Sequence, residues 1–380
     1  MGVTRSAVVF GGAPANPMAV SVPGSSPWQT VRVDGFTLAC GLVPTTPPTF
    51  DPGAPAHATS VLVRVRAVSC NYRDRSILRL MEHVPAGRFS GVGSEFAGDV
   101  IAVGKDVRTL RVGDRVIANS HYTGRTRAPS EPREGIVTNQ ASRAVHVFQA
   151  AQLLPIPDAM SDEVAAGFSL GAQTAYGMVR RLGVRPGTKV LVTAGRSSTS
   201  LFVIAALRQH PVSVYVTTSA MADEQALRRL GATDVIHLPR DGGAAESDPL
   251  VAAAADVGGF DYVIDPFFDL HVYRAVAVMN PFGSYITCGL ATQNAGSARP
   301  PAPLPPLDVI LHAAMIRNLA LLGNCIGLGS DLEQAINDFA GGRLSTVIDS
   351  VYTGDAVGAF LDRTYNDRTR FGKVVFRYDN

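Results

Sequence analysis

The chain has 380 residues, of which 46% are hydrophobic and 17% charged, so it is long enough to form two domains with large cores. Its formal net charge is +2, which provides no field that would attract a nucleic acid or a membrane surface, and no apolar run reaches the ~18 residues of a membrane span. The four cysteines include no close pair, so neither a four-cysteine zinc lobe nor a disulfide framework is expected. "MGVTRSAVVFGGAP" also lacks a signal-peptide pattern, and together these features favour a cytoplasmic protein.

Residues 1 to about 150 predict short strands and turns. In "SVLVRVRAVSC" (60–70), apolar and polar residues alternate, which is typical of a strand with one buried face. "GDVIAVGKDVRTLRVGDRVIA" (98–118) predicts a strand, a turn and a second strand, with Gly104 and Gly113 at the bends. The first part of the chain is therefore expected to be mainly β.

From about residue 160 the pattern changes to strands that alternate with helices. Ser161 is the predicted N-cap of the first helix, in "SDEVAAGFSLGAQTAYGMVRRLG". Further strands are predicted over 189–194, 212–217, 234–237, 260–264 and 284–288, with helices over 199–209, 221–230 and 269–279. This alternation predicts a parallel, doubly wound sheet.

Six segments resemble, in order and spacing, the medium-chain dehydrogenase/reductase superfamily: "GSEFAGDVIAVGKDVRTLRVGDRV", "GTKVLVTAG", "LRRLGATDVI", "FDYVIDP", "FGSYITCG" and "RFGKVV". The resemblance runs from about residue 60 to 376 and implies an α/β fold with two domains. A mainly β, GroES-like catalytic domain would comprise residues 1–172 and 324–380. A Rossmann doubly wound parallel sheet over 173–323 would bind a dinucleotide.

Zinc-dependent members of that superfamily hold a catalytic metal with three ligands, and the corresponding positions here are Asn71, Ser94 and Leu170. None of these side chains is a strong nitrogen, sulfur or carboxylate donor for zinc, so we expect no catalytic zinc. Cys70 is one residue out of register and is expected to be a small core residue.

"NYRD" instead resembles the signature of the zinc-free quinone and enoyl reductases. The resemblance implies that Tyr72 hydrogen-bonds or protonates a substrate carbonyl; the alternative is that Tyr72 only packs with its hydroxyl on backbone. With Tyr72, the predicted catalytic set comprises Asn71, Asp74 and Thr174. Arg73 and Asp74 are expected to form an ion pair that organises the turn.

The predicted turn after the first Rossmann strand, in "VLVTAGRSSTSLFVIAAL" (190–207), departs from the superfamily pattern of close to "GxxGGVG". The helix N-terminus, several hydroxyls and an arginine remain there as phosphate donors. The candidate pyrophosphate-binding residues are Gly195, Arg196, Ser197, Ser198, Thr199 and Ser200. The alternative is that the serines only cap the helix.

The end of the second Rossmann strand carries Thr217, Thr218 and Ser219 where NAD-preferring folds place an acid, which permits NADP and gives a weak preference for it. Asp223, however, lies close to where NADP-preferring relatives place a lysine or arginine. The resemblance adds further cofactor-binding positions: Thr174, Cys288, Gly289, Leu290, Asn324 and Lys373.

The sequence thus predicts a zinc-independent, NADPH-dependent oxidoreductase that reduces an activated alkene or carbonyl, with natural-product biosynthesis as a candidate setting. One alternative is a non-redox cyclase or lyase on the same scaffold, with altered or lost cofactor binding. Another is a non-catalytic binding protein. A homodimer is also predicted, with a contact that includes residues 305–318 and strand pairing interrupted by the prolines of 300–306; the alternative is that 309–316 is a buried amphipathic helix.

Overall fold

The computed structural model describes residues 2–12, 22–120, 135–238, 248–291 and 307–379. Its contacts divide the chain into two units, Met1–Leu170 with Thr346–Asn380, and Gly171–Ser345. These are the first and the second unit, respectively. None of the helices in the described ranges is long and apolar enough to cross a membrane.

The first unit is mainly β, as predicted. Its strands up to residue 170 are β1 (Thr4–Phe10), β2 (Gln29–Val33), β3 (Phe36–Thr45), β4 (Ser60–Ser69), β5 (Phe89–Gly91), β6 (Glu95–Val103), β7 (Arg115–Ala118), β8 (Val145–Gln149) and β9 (Leu153–Pro155). Its helices there are α1 (Arg75–Leu80) and α2 (Asp162–Ala166), and a short 3-10 turn covers Tyr72–Asp74. The predicted N-cap is confirmed, because the Ser161 side chain accepts a hydrogen bond from the Val164 N–H.

The second unit alternates helices and strands. Its helices are α3 (Ser169–Leu182), α4 (Ser198–Leu207), α5 (Glu224–Leu230), α6 (Pro249–Val257), α7 (Phe268–Ala277), α8 (Leu307–Arg317) and α9 (Gly329–Ala340). Its strands are β10 (Lys189–Val192), β11 (Ser213–Thr218), β12 (Asp234–His237), β13 (Phe260–Asp265), β14 (Met279–Thr287) and β15 (Ala320–Gly323). The chain then returns to the first unit through β16 (Ile348–Tyr352), α10 (Val357–Tyr365) and β17 (Lys373–Arg377).

Strand β17 joins the late part of the chain to the early part. It pairs in antiparallel fashion with β4, with Val375 opposite Ser69, and in parallel with β16. Strand β4 also pairs with β6 and β8, so it is central in its sheet. The sequence predicts one buried face for β4, but nearly the whole strand is buried, and only Arg64 and part of Arg66 reach solvent. Pairing on both edges and packing on both faces explain the difference.

The sheet of the second unit is parallel throughout the described residues, in the order β12-β11-β10-β13-β14-β15. Counted along the unit, this is the order 3-2-1-4-5-6 of a dinucleotide-binding Rossmann fold, and the order reverses between β10 and β13. Helix α4 carries little polar surface, because residues 200–207 are all buried. The predicted fold class, a doubly wound parallel sheet together with a mainly β unit, is confirmed.

The division by contacts differs from the predicted domain boundary in one place. The sequence predicts that residues 324–380 belong with the N-terminal part, whereas residues 324–345 fall within the second unit. The reason is that α9 is tied to α3: Arg180 binds Asp331 through two hydrogen bonds of 2.7 and 3.0 Å, and the Tyr176 hydroxyl donates to Asp338.

For residues 309–316, the sequence allows either part of a dimer contact or a buried helix. They form helix α8, but much of it is exposed, with Leu307, Met315 and Ile316 63, 75 and 64% accessible. The prolines of 300–306 lie outside the described residues.

Candidate active site

A buried polar cluster lies where three strands of the first unit meet. Asn71 follows β4, Glu95 begins β6 and Lys373 begins β17. The side chains of Glu95 and Lys373 are 0 and 2% exposed, and the Lys373 ammonium donates to Glu95 Oε1 at 2.5 Å and to Asn71 Oδ1 at 2.6 Å. A buried ammonium therefore neutralises a buried carboxylate, which is the condition for keeping either charge out of water.

The same carboxylate gathers the three positions that the resemblance aligns with zinc ligands. The Asn71 amide donates to Glu95 Oε1 at 2.5 Å and to Ser94 Oγ at 3.1 Å. The Leu170 N–H donates to the second oxygen of Glu95 at 3.1 Å. Ser94 in turn donates to Asp74 Oδ2, which also accepts from the Asn71 N–H, both at 2.8 Å. The structure thus brings Asn71, Ser94 and Leu170 together around Glu95.

This donor set does not fit a zinc ion. It offers an amide, a hydroxyl and a main-chain N–H, and its one central carboxylate is already paired with an ammonium. The described part of the chain contains no group of three or more His, Cys, Asp or Glu residues that could hold a metal. Burial raises the pKa of the Cys70 thiol, which disfavours the thiolate that a metal would need.

Asp74 organises the turn that carries the predicted catalytic residues. The predicted ion pair is confirmed, since Arg73 Nη1 lies 2.8 Å from Asp74 Oδ1. Burial raises the pKa of Asp74, and Arg73 and the hydrogen bonds from Asn71 and Ser94 oppose that rise only in part. Several contacts thus hold the carboxyl group, although burial makes its ionised form less favourable.

Tyr72 lies in the same turn and is 37% exposed. The Arg75 guanidinium lies 3.5 Å from the centroid of the Tyr72 ring, within cation–π distance. Arg75 is itself buried and forms an ion pair of 2.7 Å with Asp34. The ring is therefore held in place while part of the side chain stays accessible, and its role in chemistry remains a prediction.

In the second unit, the turn between β10 and α4 is fixed against β11. The Ala194 N–H donates to Thr217 Oγ1 at 3.1 Å, and the Gly195 N–H donates to the Thr217 carbonyl at 2.7 Å. Ala194 has φ of 49°, a left-handed conformation that favours glycine. A Cβ on Gly195 would lie 2.5 Å from Val216 Cγ1, so the remaining glycine is required for packing against β11.

The serines of this turn do not all serve as caps. Ser197 occupies the N-cap position of α4, yet within the described residues its side chain makes no capping hydrogen bond. The Ser200 hydroxyl donates back to the Thr193 carbonyl at 2.8 Å. The Leu201 N–H is bonded to the Ser197 carbonyl, so the N–H groups of 198–200 precede the hydrogen bonds of the helix, as at other anion-binding N-termini. The turn therefore retains main-chain donors and half-buried hydroxyls at Ser198 and Thr199 that fit a phosphate.

The residues predicted to determine the choice between NADP and NAD form an ion pair with each other or hydrogen bonds with the main chain. Arg196 Nε lies 2.9 Å from Asp223 Oδ2, and both side chains are largely buried, at 17 and 12% exposure. Thr217 and Thr218 are buried, and their hydroxyls accept from the N–H groups of Ala194 and Ala220. The Ser219 carbonyl lies 3.2 Å from a ring nitrogen of His237.

Another buried carboxylate, which the sequence did not reveal, lies at the carboxyl ends of β10, β13 and β14. Asp265 accepts hydrogen bonds of 2.6 Å from the hydroxyls of Thr193 and Tyr285, and 2.9 Å from the Phe267 N–H. His271 Nδ1 lies 2.9 Å from it. Burial raises the pKa of Asp265, but these contacts outweigh burial and hold that pKa below its usual range. The sequence signal that could have revealed this contact is a histidine, His271, six residues after an aspartate at the end of a strand.

The remaining predicted cofactor residues are spread through the second unit. Thr174 is a buried residue of α3, and Cys288, whose thiol pKa burial raises to about 12, follows β14. The Gly289 carbonyl accepts from the Phe268 N–H, and Leu290 is exposed. The Asn324 amide donates to the Ile326 carbonyl at 2.7 Å. Their contact with a cofactor stays a prediction.

Known proteins resemble this chain in both sequence and fold. Residues 57–158 match the alcohol dehydrogenase GroES-like domain. A zinc-type alcohol dehydrogenase-like protein of Schizosaccharomyces pombe is 28% identical over 84% of this chain and 87% of its own length. A phenolphthiocerol/phthiocerol polyketide synthase of Mycobacterium tuberculosis is 27% identical over 60% of this chain, which spans only 10% of that protein. The solved structure of an NAD-dependent alcohol dehydrogenase covers 98% of this chain, which in turn covers 99% of it, with a TM-score of 0.74 and 23% identity.

The GroES-like domain and the 3-2-1-4-5-6 sheet together define the class of protein, an oxidoreductase with a dinucleotide-binding fold. Over most of its length the chain is similar in sequence to a zinc-type alcohol dehydrogenase-like protein, and it has the fold of alcohol dehydrogenases.

Proposed function

We propose that this protein is a zinc-independent reductase that transfers a hydride from NADPH to an activated alkene or carbonyl. The observation that carries the proposal is the cluster around Glu95, where the three positions aligned with zinc ligands surround a carboxylate that the Lys373 ammonium already neutralises. The Lys373 ammonium already supplies the positive charge at this point. We therefore expect side-chain hydrogen-bond donors, and not a metal ion, to polarise the substrate.

The second unit supplies the features that would hold the dinucleotide. The N–H groups at the start of α4, with Ser198 and Thr199, would bind the pyrophosphate, as a helix N-terminus favours anions. When bound, the nicotinamide supplies the hydride, so the protein has to orient the reactants and place a proton donor. Cys288, Gly289, Leu290 and Asn324, which follow β14 and β15, are proposed to flank the cofactor.

Tyr72 is the proposed hydrogen-bond or proton donor to the substrate oxygen. It is accessible, and the stack on Arg75, anchored by Asp34, restricts the ring. Asn71 and Asp74 hold the turn that carries Tyr72, because the Asn71 N–H is bonded to the Asp74 carboxylate. Thr174 completes the proposed catalytic set.

The choice of NADPH over NADH rests on the Arg196–Asp223 pair. The guanidinium lies near the end of β11 and suits a 2′-phosphate, and the carboxylate that would repel the phosphate is held by that same guanidinium at 2.9 Å. The Arg196 guanidinium therefore supports a preference for NADPH, and its pairing with Asp223 makes that preference modest.

The polyketide synthase relative supports natural-product biosynthesis as the setting for a small-molecule substrate. We further propose a cytoplasmic homodimer that buries the exposed apolar side chains of α8, among them Met315 and Ile316, since bare apolar patches of this kind mark interfaces.

The test is turnover of NADPH with a panel of quinones and enones by the purified full chain, together with Tyr72→Phe. We expect NADPH to raise the melting temperature more than NADH does, and Tyr72→Phe to lower kcat about 10²-fold or more with an unchanged shift by NADPH, since general acid catalysis contributes about 10²–10⁴-fold. Tyr273→Phe, at an exposed tyrosine of the second unit, is the matched control and should leave kcat unchanged.

Equal kcat for Tyr72→Phe and the wild-type chain would remove Tyr72 from the chemistry. NADPH binding without oxidation by any acceptor would favour a non-redox reaction on this scaffold.

A further inference from the structure

A cavity in the first unit lies apart from the cluster around Glu95. It has a volume of about 440 Å³ and is lined by β1, β4, β17 and neighbouring segments. Such a volume falls within the range of sites for small ligands. On β17, its residues Phe376 and Arg377 come three and four positions after Lys373, so the strand that supplies the cluster also supplies this cavity.

Most of the cavity wall is apolar. Leu42, Val65, Ala144 and Phe376 all line it, and each of these residues is at least nine-tenths buried. Their packing gives a rigid, preformed floor, because they belong to or adjoin paired strands of the unit. An apolar group placed on this floor would gain about 25 cal/mol for each Å² removed from water.

Four arginines, Arg5, Arg64, Arg66 and Arg377, line the same cavity, against one acid, Asp379. Arg66 and Arg377 are each paired with a carboxylate outside the cavity lining, Asp99 at 2.6 Å and Glu163 at 2.8 Å.

Arg5 and Arg64 are less occupied. Arg5 lies 3.9 Å from Asp355, and both side chains are about half exposed, which is a weak ion pair. Arg64 stands opposite Asp99 in the register of β4 and β6, but Asp99 is bound by Arg66. Within the described ranges, the structure shows no carboxylate at ion-pair distance from Arg64. Among the described residues, the lining thus places one guanidinium without a carboxylate at ion-pair distance, that of Arg64, beside an apolar floor.

We propose that this cavity is a binding site for a small amphiphile with an anionic oxygen headgroup, a carboxylate or a phosphate, and a short apolar tail. The arginines bind the headgroup, with Arg64 as the principal contact, because guanidinium recognises both anions through paired N–H donors. The tail lies on Leu42, Val65 and Phe376. The proposal concerns a second site and does not depend on the reductase activity.

The experiment is calorimetric titration of the full chain with octanoate, octyl phosphate and the neutral octanol. We expect saturable binding of one anion per chain and at least tenfold weaker binding of octanol. Comparison of the two anions tells whether carboxylate or phosphate is the preferred headgroup. A saturating concentration of NADPH should leave this binding unchanged, which separates the cavity from the proposed cofactor site.

Arg64→Glu should weaken binding of the better anion at least tenfold. Arg32→Glu is the matched control, because Arg32 is also an exposed arginine on a strand of the first unit and does not line the cavity. Melting temperatures of all variants show whether they fold. If the charge reversal prevents folding, Arg64→Ala replaces Arg64→Glu, and we expect Arg64→Ala to weaken anion binding as well.

The proposal is overturned by the absence of saturable anion binding, by octanol binding as well as the anions, by displacement with NADPH, or by unchanged affinity in folded Arg64→Ala.

Discussion

The two units each bury a carboxylate completely, and they stabilise it in different ways. Glu95 in the first unit is paired with the Lys373 ammonium, assisted by the Asn71 amide. Asp265 in the second unit is bound by several donors: His271 at 2.9 Å, two hydroxyls and a main-chain N–H. Both groups are 0% exposed, so neither can be hydrated.

This difference determines how each unit should respond to the loss of one partner. Where a single cation balances the charge, removing it leaves a buried anion without compensation. Where several donors share the charge, removing one leaves the others in place. The first arrangement is therefore expected to be the more fragile.

The largest effect is expected for Lys373→Met. We expect a loss of about 3–5 kcal/mol in the free energy of unfolding, the range for breaking a buried ion pair from one side. Urea denaturation measures this loss. The control is Lys105→Met, at an exposed lysine of the same unit, for which we expect almost no change in the free energy of unfolding. Glu95→Gln in the Lys373→Met background should recover part of the loss. A cost below about 1 kcal/mol for Lys373→Met would show that the ammonium is not required to balance Glu95.

A smaller effect is expected for Tyr285→Phe, which removes one hydroxyl donor from Asp265. The loss should be about 1.5–3 kcal/mol, the range for a hydrogen bond to a charged group. Tyr215→Phe on β11, a half-buried tyrosine that packs edge-on against Phe260, is the control. If Tyr285→Phe costs as much as Lys373→Met in the same urea titration, the proposed contrast between the two carboxylates fails.

The subtlest effect is a difference in pH dependence between Asp74 and Asp265. Burial raises the pKa of Asp74, so its contribution to stability is present below the unfolded pKa of about 3.9 and is lost as pH rises through the folded value. Burial also acts to raise the pKa of Asp265, but the contacts with His271, Thr193 and Tyr285 outweigh burial and lower that pKa. Its contribution is present above about pH 3.9 and is lost as pH falls through the folded value.

Unfolding free energies of Asp74→Asn and Asp265→Asn, relative to the wild-type chain at several pH values, test this difference. As pH falls toward and below about 4, the cost of Asp74→Asn should grow and that of Asp265→Asn should shrink. Slopes of the same sign would show that hydrogen bonding does not outweigh burial at Asp265.

The sequence predicts most of the fold, because hydrophobic periodicity and alternation are local signals. Strands β10, β12 and β13 lie within a few residues of their predicted bounds. The contact division places residues 324–345 differently from the predicted domain boundary. The placement depends on contacts between α9 and α3, such as Arg180 with Asp331, which are 151 positions apart. No local pattern reports such a pair.

The site was predictable only in part, for the same reason. The turn of Asn71, Tyr72 and Asp74 is marked by a short motif. The pairing of Glu95 with Lys373 spans 278 positions and depends on how β17 reaches β4. Tyr285 meets Asp265 only through the register of two neighbouring parallel strands, which alternation alone does not specify.

The return of the chain to the first unit through β17 has a consequence for the order in which the protein is made. A ribosome synthesises Glu95 early and completes all of the second unit before Lys373 emerges. Until then the β4 edge has no β17 to pair with, and the Glu95 carboxylate has no ammonium. The nascent first unit must therefore keep that carboxylate hydrated and its sheet open, so the second unit, although later in sequence, is the first that can close its core.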